Sequence, residues 1–297
     1  MSLHRFRHLR VRTGTSVLAV AATVAASGIF PVLQATAQSP TQRVIIELEG
    51  APAFDRLGEA RMGALRLDDA GAKSDAREAY RAVSAAIKKA QDDVAASAGE
   101  KGVSLSKKRH ITGVLNAIVA EVDASGIDDL RKLPGVARVT PDARISLLTG
   151  ETPAAEPTKA PAPTPQPAQE APDAASAPTP SAEAAPDAAH GEGVTVAIID
   201  TGVDYTLADL GAGFGEGSKV VGGYDFVNDD GDPMDDHYHG THVAGIVAGT
   251  GAQTVTGVAP AAELTAYKVL DNDGSGWLSW VLGGLEAAAD PTGEHPA

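Results

Sequence analysis

Two ionisable residues, Asp200 and His239, lie at the ends of apolar segments and could act together on a proton. A histidine accepts a proton near neutral pH, and a carboxylate beside it orients the imidazole and stabilises its charged form. Such a pair activates a hydroxyl as a nucleophile when all three groups come within hydrogen-bond distance. These residue types therefore indicate acid–base chemistry in support of a nucleophile.

The segments around the two residues predict how each is positioned. The aliphatic run 196–199 precedes Asp200 and predicts a strand buried on both faces. In open α/β sheets the active-site crevice forms at the carboxyl ends of the strands, which is where this acid lies. His239 opens a segment with helical spacing of apolar residues, so we expect its imidazole on the first turn of a helix. The apolar face of that helix is predicted to consist of Val243, Ile246 and Val247.

Two other kinds of site compete for these residues. His237, His239 and His242 approach an HxHxDH zinc pattern, but Thr241 stands where that pattern needs its acid. Residues 200–202 also read as the DTG of aspartic proteases, which requires a second such motif. No second DTG or DSG occurs in the chain. We therefore expect no metal at the site and treat the zinc interpretation as the less favoured alternative.

Three segments in this order resemble the subtilisin-like serine proteases. They are 195–204 (TVAIIDTGVD), 239–249 (HGTHVAGIVAG) and 257–285, which begins with GVAP and contains DGSG. The resemblance implies an Asp, His, Ser triad in that chain order, with Asp200 as the orienting acid and His239 as the general base.

The same resemblance implies the fold and the substrate site. Residues 190–297 would form the first part of a doubly wound α/β catalytic domain with a parallel sheet. Gly274, Ser275 and Gly276 would pair through their backbone with an extended substrate. The family's oxyanion Asn and nucleophilic Ser would follow Ala297, so we expect this domain to be incomplete and the chain as written to be inactive.

Residues 38–149 are predicted to form a separate domain that precedes the catalytic segment. Their pattern is βαββαβ, a ferredoxin-like α+β arrangement, if the segment 111–122 folds as two strands. This domain resembles the inhibitory prodomain of the same family, notably in the run LPGVARVTPD at 133–142. The resemblance implies that it binds in cis, with its carboxyl tail across the catalytic cleft. The alternative is an unrelated small binding domain.

The remaining segments concern export and processing. Residues 1–37 contain four arginines, an apolar stretch and Ala35-Thr36-Ala37, which predicts a signal peptide and a secreted, extracellular or periplasmic protein without a membrane anchor. Residues 150–189 are rich in Ala and Pro and predict an extended linker. We expect autoprocessing between Leu147 and His190.

Composition limits the other partners. The chain has no cysteine, and its net charge of −15 argues against a nucleic-acid partner. Residues 207–210 read LADL where many family members have HPDL, and the loop 249–256 is short. We therefore expect no required cofactor, and calcium enters only through the family resemblance.

These observations predict a secreted serine endopeptidase precursor that acts on polypeptides. The alternative is a non-catalytic inhibitor or folding chaperone of a separate protease, with the prodomain acting alone.

Overall fold

The computed structural model describes residues 40–66, 69–147 and 190–293. The predicted signal peptide, 1–37, and the predicted linker, 150–189, lie outside the described residues. No helix within the described ranges is long and apolar enough to cross a membrane.

Residues 40–147 form a four-stranded antiparallel sheet with helices between its strands. The strands are β1 (Thr41–Leu48), β2 (Ser106–Ile111), β3 (Ala117–Asp123) and β4 (Val136–Pro141), the helices are α1 (Ala53–Gly63), α2 (Ala70–Glu100) and α3 (Ile127–Leu130), and a short strand β5 (Arg144–Ser146) follows. The order in the sheet is β2-β3-β1-β4. The predicted pair of strands within 111–122 is a hairpin that begins five residues earlier, at Ser106.

Both faces of this sheet are covered, which explains its unbroken apolar runs. Side chains of successive residues in a strand point to opposite faces. Val44 and Ile46 pack in a cluster with residues of α2 and α3. Ile45, between them, packs on the other face with Val119 and with Leu282 from the second half of the chain. In the run 44–46 (VII) every side chain is buried on one face or the other, so all three residues are apolar.

Residues 190–293 form a parallel sheet with helices on both faces. The elements are β6 (Thr195–Asp200), β7 (Val220–Asp225), α4 (His239–Ala248), β8 (Glu263–Lys268), β9 (Ser275–Trp277) and α5 (Leu278–Ala289). The sheet order is β6-β8-β7. Leu264 of β8 packs on the α4 side with Ala244, whereas Tyr267 packs on the α5 side with Ala288.

β6 is less buried than its sequence predicts. Only Ile198 is buried among its six residues, and the others are half-buried. Within the described residues β6 pairs with β8 on one side only, so it is an edge strand. Val196 and Ile198 pack on the α4 side and Ala197 and Ile199 on the α5 side, so both faces are covered as predicted, but the unpaired edge leaves the side chains other than Ile198 partly exposed.

The buried face of α4 also differs from the predicted one. Its buried residues are Gly240, Ala244 and Ala248, spaced by four, while Ile246 is 54% exposed. Val243 and Val247 pack at the border of the core. The prediction for Ile246 is wrong because small residues, not large ones, mark the face on which this helix approaches the sheet.

Leu264 tests where the core of the second half lies. It is completely buried in β8, the middle strand of the sheet, so Leu264→Ala should lower the free energy of unfolding by about 3 kcal/mol. Val255 is 79% exposed, and Val255→Ala should change it by less than about 0.5 kcal/mol. Urea unfolding followed by circular dichroism measures both, and equal effects would contradict this placement of the core.

Candidate active site

Asp200 is the last residue of β6, and its carboxylate is 13% exposed. Its carbonyl oxygen accepts hydrogen bonds from the N–H groups of Val269 and Leu270, 2.8 and 3.2 Å away, which tie it to the end of β8. Its side chain accepts the N–H of Thr201 at 2.7 Å. The acid is therefore fixed at the carboxyl edge of the sheet, where its sequence position predicts it.

His239 is the first residue of α4, and its ring meets the carboxylate of Asp200. Nδ1 lies 2.8 Å from each of the two carboxylate oxygens. An N–H at Nδ1 donates to the carboxylate and leaves Nε2 with a free lone pair. The imidazole is 38% exposed, so this lone pair is accessible to a proton donor. The pair can therefore take a proton from a hydroxyl and stabilise the imidazolium that results.

Gly240 lets the start of α4 approach the end of β6. Its N–H donates to Oγ1 of Thr201 at 2.9 Å. A Cβ atom at this position would overlap the carbonyl oxygen of Gly202, so only glycine fits. The close approach of the helix depends on this missing side chain, and the distance between Asp200 and His239 depends on the close approach.

Asp235 joins the two segments and was missed by the sequence analysis. Its carboxylate accepts five hydrogen bonds in all. Burial acts to raise the pKa of Asp235, but these hydrogen bonds outweigh it and hold the pKa below its ordinary value. The donors are Oγ1 of Thr201, the N–H groups of His237, Tyr238 and Thr241, and Oγ1 of Thr241.

Lys268, the second missed residue, ends β8 and has a side chain that is 1% exposed. Its ammonium group donates to the carbonyl oxygens of Thr201, at 2.7 Å, and Leu270, at 3.0 Å. A third hydrogen bond, 2.5 Å long, goes to the carboxylate of Asp236. The three donors of the ammonium group thus join the loop after β6, the loop after β8 and the segment before α4. The sequence does offer a sign of this role, because Lys268 is a charged residue within the largely apolar segment 263–270 (ELTAYKVL).

The three histidines do not converge. His242 is exposed on α4. His237 stacks on Tyr238 with 4.6 Å between ring centroids. Among the described residues no group of three or more His, Cys, Asp or Glu side chains could hold a metal ion. The arrangement therefore favours the acid–base pair over the zinc interpretation.

The predicted substrate strand is paired with another part of the chain. β9 runs antiparallel to β5, with Ile145 opposite Gly276 and Ser146 opposite Ser275. The N–H of Leu147 donates to the carbonyl oxygen of Gly274 at 2.9 Å. Gly274, Ser275 and Gly276 therefore pair with an extended segment of the same chain, 144–147, and their binding of a substrate stays a prediction.

The end of this segment and His237 both approach Gly274. A Cβ atom on Gly274 would lie 3.1 Å from both Cδ1 of Leu147 and Nε2 of His237. His237 is two residues before His239, so the residue that pairs with Leu147 lies close to the chain that leads into α4.

Comparison with known proteins assigns a family to this half of the chain. Residues 191–296 match the family model described as Subtilase family. The segment 191–296 belongs to the subtilase family.

Individual relatives extend the match. Thermitase from Thermoactinomyces vulgaris is 44% identical over 111 residues, which is 37% of this chain and 38% of thermitase. Thermophilic serine proteinase from Bacillus sp. (strain AK1) is 47% identical over 104 residues, 34% of this chain and 24% of that protein. Subtilisin E from Bacillus subtilis (strain 168) is 34% identical over 192 residues, 64% of this chain and 42% of subtilisin E. The chain thus spans less than half the length of these relatives.

A solved structure is also similar to part of the chain. The crystal structure of a cold adapted subtilisin-like serine proteinase matches with 36% identity over 33% of this chain and 32% of its own, with a TM-score of 0.28.

Asp235 provides a test of the connection between β6 and α4. An amide at this position keeps one acceptor and places N–H groups against the N–H donors, so Asp235→Asn should lower the free energy of unfolding by about 1–3 kcal/mol at neutral pH. Because the folded state lowers the pKa of this carboxyl, its contribution is present at neutral pH and is lost as the pH falls through the folded pKa. Urea unfolding at several pH values measures the difference between wild type and variant.

The matched control is Asp273→Asn, which removes the same charge from an exposed side chain. Its effect should be near zero at every pH. An Asp235→Asn effect that is equally small, or that does not shrink in acid, would contradict the role assigned to Asp235.

Proposed function

We propose that the full-length protein is a serine endopeptidase in which Asp200 orients the base His239 and stabilises the imidazolium that forms when it takes a proton. The observation that carries the proposal is the hydrogen bond from Nδ1 to both carboxylate oxygens at 2.8 Å, within a segment of the subtilase family. With Nδ1 bound in this way, Nε2 takes the proton of the serine hydroxyl as that oxygen attacks a peptide carbonyl. The same nitrogen then delivers the proton to the leaving amine.

None of the serines near the cleft is assigned as the nucleophile. Oγ of Ser275 lies 2.9 Å from Oγ of Ser146, in the pairing of β9 with β5. Oγ of Ser279 donates to Asp142 at 2.6 Å. The serine of the triad is therefore proposed for the full-length protein, and the inactivity of residues 1–297 alone stays a prediction.

We propose further that residues 38–149 are an inhibitory prodomain of ferredoxin-like fold. The strand order β2-β3-β1-β4, with α2 and α3 on one face, supports the fold. The alignment with subtilisin E supports the relationship, because it spans 192 residues and therefore extends beyond the segment 191–296. The second face of the sheet is apolar and packs on α5, which supports binding of this domain to the segment 190–293.

Glu286 of α5 provides the first polar contact of the docked prodomain. Its carboxylate accepts the N–H groups of Thr112, Gly113 and Val114 at distances from 2.7 to 3.0 Å. Oγ1 of Thr112 adds a fourth donor at 3.0 Å. Successive N–H groups that point into one concavity form an anion site, and hydrogen bonds to a charged acceptor are stronger than neutral ones. The loop after β2 is therefore recognised by a single carboxylate.

Asp142 provides a second contact, in which the carboxylate belongs to the proposed prodomain and the donor to α5. Its carboxylate is fully buried and accepts the N–H of Ser279 at 2.9 Å, in the first turn of α5. An anion is favoured at this end of a helix. Arg43 completes the site, with Nε 3.1 Å from the carboxylate. The guanidinium also lies over the rings of Trp277 and Trp280, with its carbon 5.1 and 5.4 Å from their centroids.

The segment 144–147 would inhibit by occupying the place of a substrate. Main-chain pairing with β9 is the way in which a sheet edge binds an extended peptide without regard to most side chains. Ile145 and Leu147 point to the same side and pack at the border of the cluster that contains Leu270 and Trp280. We therefore propose polypeptide substrates that bind to β9 in an extended conformation, with large aliphatic residues favoured at two alternate positions.

The position of the segment also narrows the proposed processing site. Leu147 and His237 both approach Gly274, and one extended residue advances a chain by about 3.3 Å. Few residues are then needed to reach His239. We place self-cleavage at the beginning of the range 147–190, within the first few residues after Leu147.

Export remains a proposal that rests on residues 1–37 of the sequence, with their arginines, apolar stretch and A-x-A site. The names of relatives point both ways, since one is a minor extracellular protease and another an intracellular serine protease.

The two histidines of HGTH give the sharpest test of the catalytic proposal. In the full-length protein His239→Ala should abolish release of the prodomain, because no base remains for the nucleophile. His242→Ala should process at the wild-type rate, because this side chain is exposed. Gel electrophoresis with mass spectrometry of the new amino terminus measures both results. Processing by the His239 variant at the normal rate would overturn the proposal.

Glu286 tests the prodomain. Glu286→Gln in the mature protease should weaken inhibition by added residues 38–147 by about tenfold or more, because an amide group then faces the N–H donors of the loop 112–114. Glu263→Gln removes an equal charge from an exposed side chain and serves as the control. Inhibition constants from progress curves with a peptide substrate report the change, and equal constants for the two variants would refute this contact.

A further inference from the structure

The loop after α4 is closed on itself and completes the end of the helix. Thr250 and Thr256 form an antiparallel bridge, and the N–H of Gly257 donates to the carbonyl oxygen of Gly249 at 2.8 Å. The chain then returns along α4. The N–H groups of Val258 and Ala259 donate to carbonyl oxygens of the last turn of α4, at 3.0 and 2.8 Å. These carbonyl groups have no partner within a helix, so the loop supplies the partners that the end of α4 needs.

Asp209 holds the tip of this loop from a separate part of the chain. Its carboxylate accepts the N–H of Gln253 at 2.8 Å and the hydroxyl of Thr254 at 2.6 Å. Its carbonyl oxygen accepts the N–H of Thr250 at 2.9 Å. Asp209 itself lies in a short helical turn that is anchored by Leu210, a side chain buried in the core with α4. One residue thus connects the tip and the start of the loop to the core.

The family resemblance implies calcium in this region, and the donor set does not fit it. Calcium takes six to eight oxygen ligands, mostly carboxylate and carbonyl groups. Here each carboxylate oxygen of Asp209 already faces a hydrogen, one on nitrogen and one on a hydroxyl. The positive ends of these N–H and O–H groups occupy the positions that a cation would take. No group of three or more carboxylates, histidines or cysteines that could hold a metal ion occurs in the described parts of the chain.

We propose that Asp209 is a metal-free clamp that takes over the task of a bound cation in fixing the loop 249–257. The clamp consists of the three hydrogen bonds that Asp209 accepts from this loop. It holds the carboxyl end of α4, the helix that begins with His239. The order of this loop then depends on the carboxylate of Asp209 and does not depend on calcium.

The charge state of Asp209 agrees with this role. The hydroxyl of Thr254 and the N–H of Gln253 hold the pKa of Asp209 below its ordinary value. A carboxyl group whose pKa is lowered by folding stabilises the folded state above its ordinary pKa, and this contribution is lost as the pH falls through the folded pKa. The clamp is therefore closed at neutral pH.

Hydrogen exchange of the full chain at neutral pH tests the proposal locally, whatever its enzymatic activity. In wild type, the exchange rates of the Thr250 and Gln253 amides should be equal in millimolar calcium and in a chelator, within about twofold. Asp209→Ala should accelerate the exchange of both amides by about tenfold or more. The Gln253 amide loses its acceptor, and the Thr250 amide loses the side-chain contacts that hold its loop in place. Slower exchange of these amides in calcium would overturn the proposal, as would unchanged exchange in the Asp209 variant.

Two further variants protect the test against a general loss of folding. Thr254→Val removes one donor at an exposed position and should accelerate exchange of the Gln253 amide less than Asp209→Ala does. Glu216→Gln removes a charge from another exposed carboxylate and should leave the loop unchanged. If Glu216→Gln matched Asp209→Ala, the effect would be one of net charge and the clamp would be refuted. The proposed peptidase function would be unaffected, because self-cleavage by wild type is measured separately.

Discussion

The close approach of the end of β6 to the start of α4 is the constraint on which the candidate active site depends. Asp200 and His239 belong to separate elements, and their 2.8 Å contacts exist only if the two backbones nearly touch. Gly240 removes the side chain that would prevent this. Asp235 and Lys268 then supply the attraction, the first by accepting hydrogen bonds from both segments and the second by bonding to the carbonyl oxygens that follow β6 and β8. The contact between Asp200 and His239 thus rests on the space left by Gly240 and on the hydrogen bonds of Asp235 and Lys268.

Residues 40–147 and 190–293 are joined by carboxylates on each side that accept hydrogen bonds from the other side. Glu286, from the second half, binds backbone N–H groups of the first, and Asp142, from the first half, binds the start of α5 in the second. Net charge cannot be the source of this recognition: residues 190–297 carry two lysines and 17 acidic residues, and residues 43–147 carry 17 basic and 16 acidic residues. Local donor geometry with an apolar sheet face beneath it decides the contact.

The sequence was most informative where a residue's chemistry and its position in an element coincide. Asp200 at the end of an aliphatic run and His239 before a helical pattern could be placed without coordinates. Asp235 could not, because its five partners are mostly backbone N–H groups, which leave no trace in a sequence. Ile246 was misassigned for another reason: hydrophobicity marks a buried helix face only where the helix has room for large side chains, and α4 approaches its sheet through glycine and alanine.

The sequence pattern of the sheet β2-β3-β1-β4 indicates that both of its faces are covered. Antiparallel sheets with one face in water alternate apolar and polar residues, whereas β1 and β3 contain the unbroken runs VII and AIVA. Such runs require a second covering layer, and within 40–147 the helices that pack on the sheet, α2 and α3, lie on one face. The layer is α5, through Leu282. The helix that covers this sheet also begins directly after β9, so docking of the sheet and pairing of β5 with β9 are carried by one continuous segment. Packing of this sheet on α5 therefore places the segment that follows it, 144–147, beside β9.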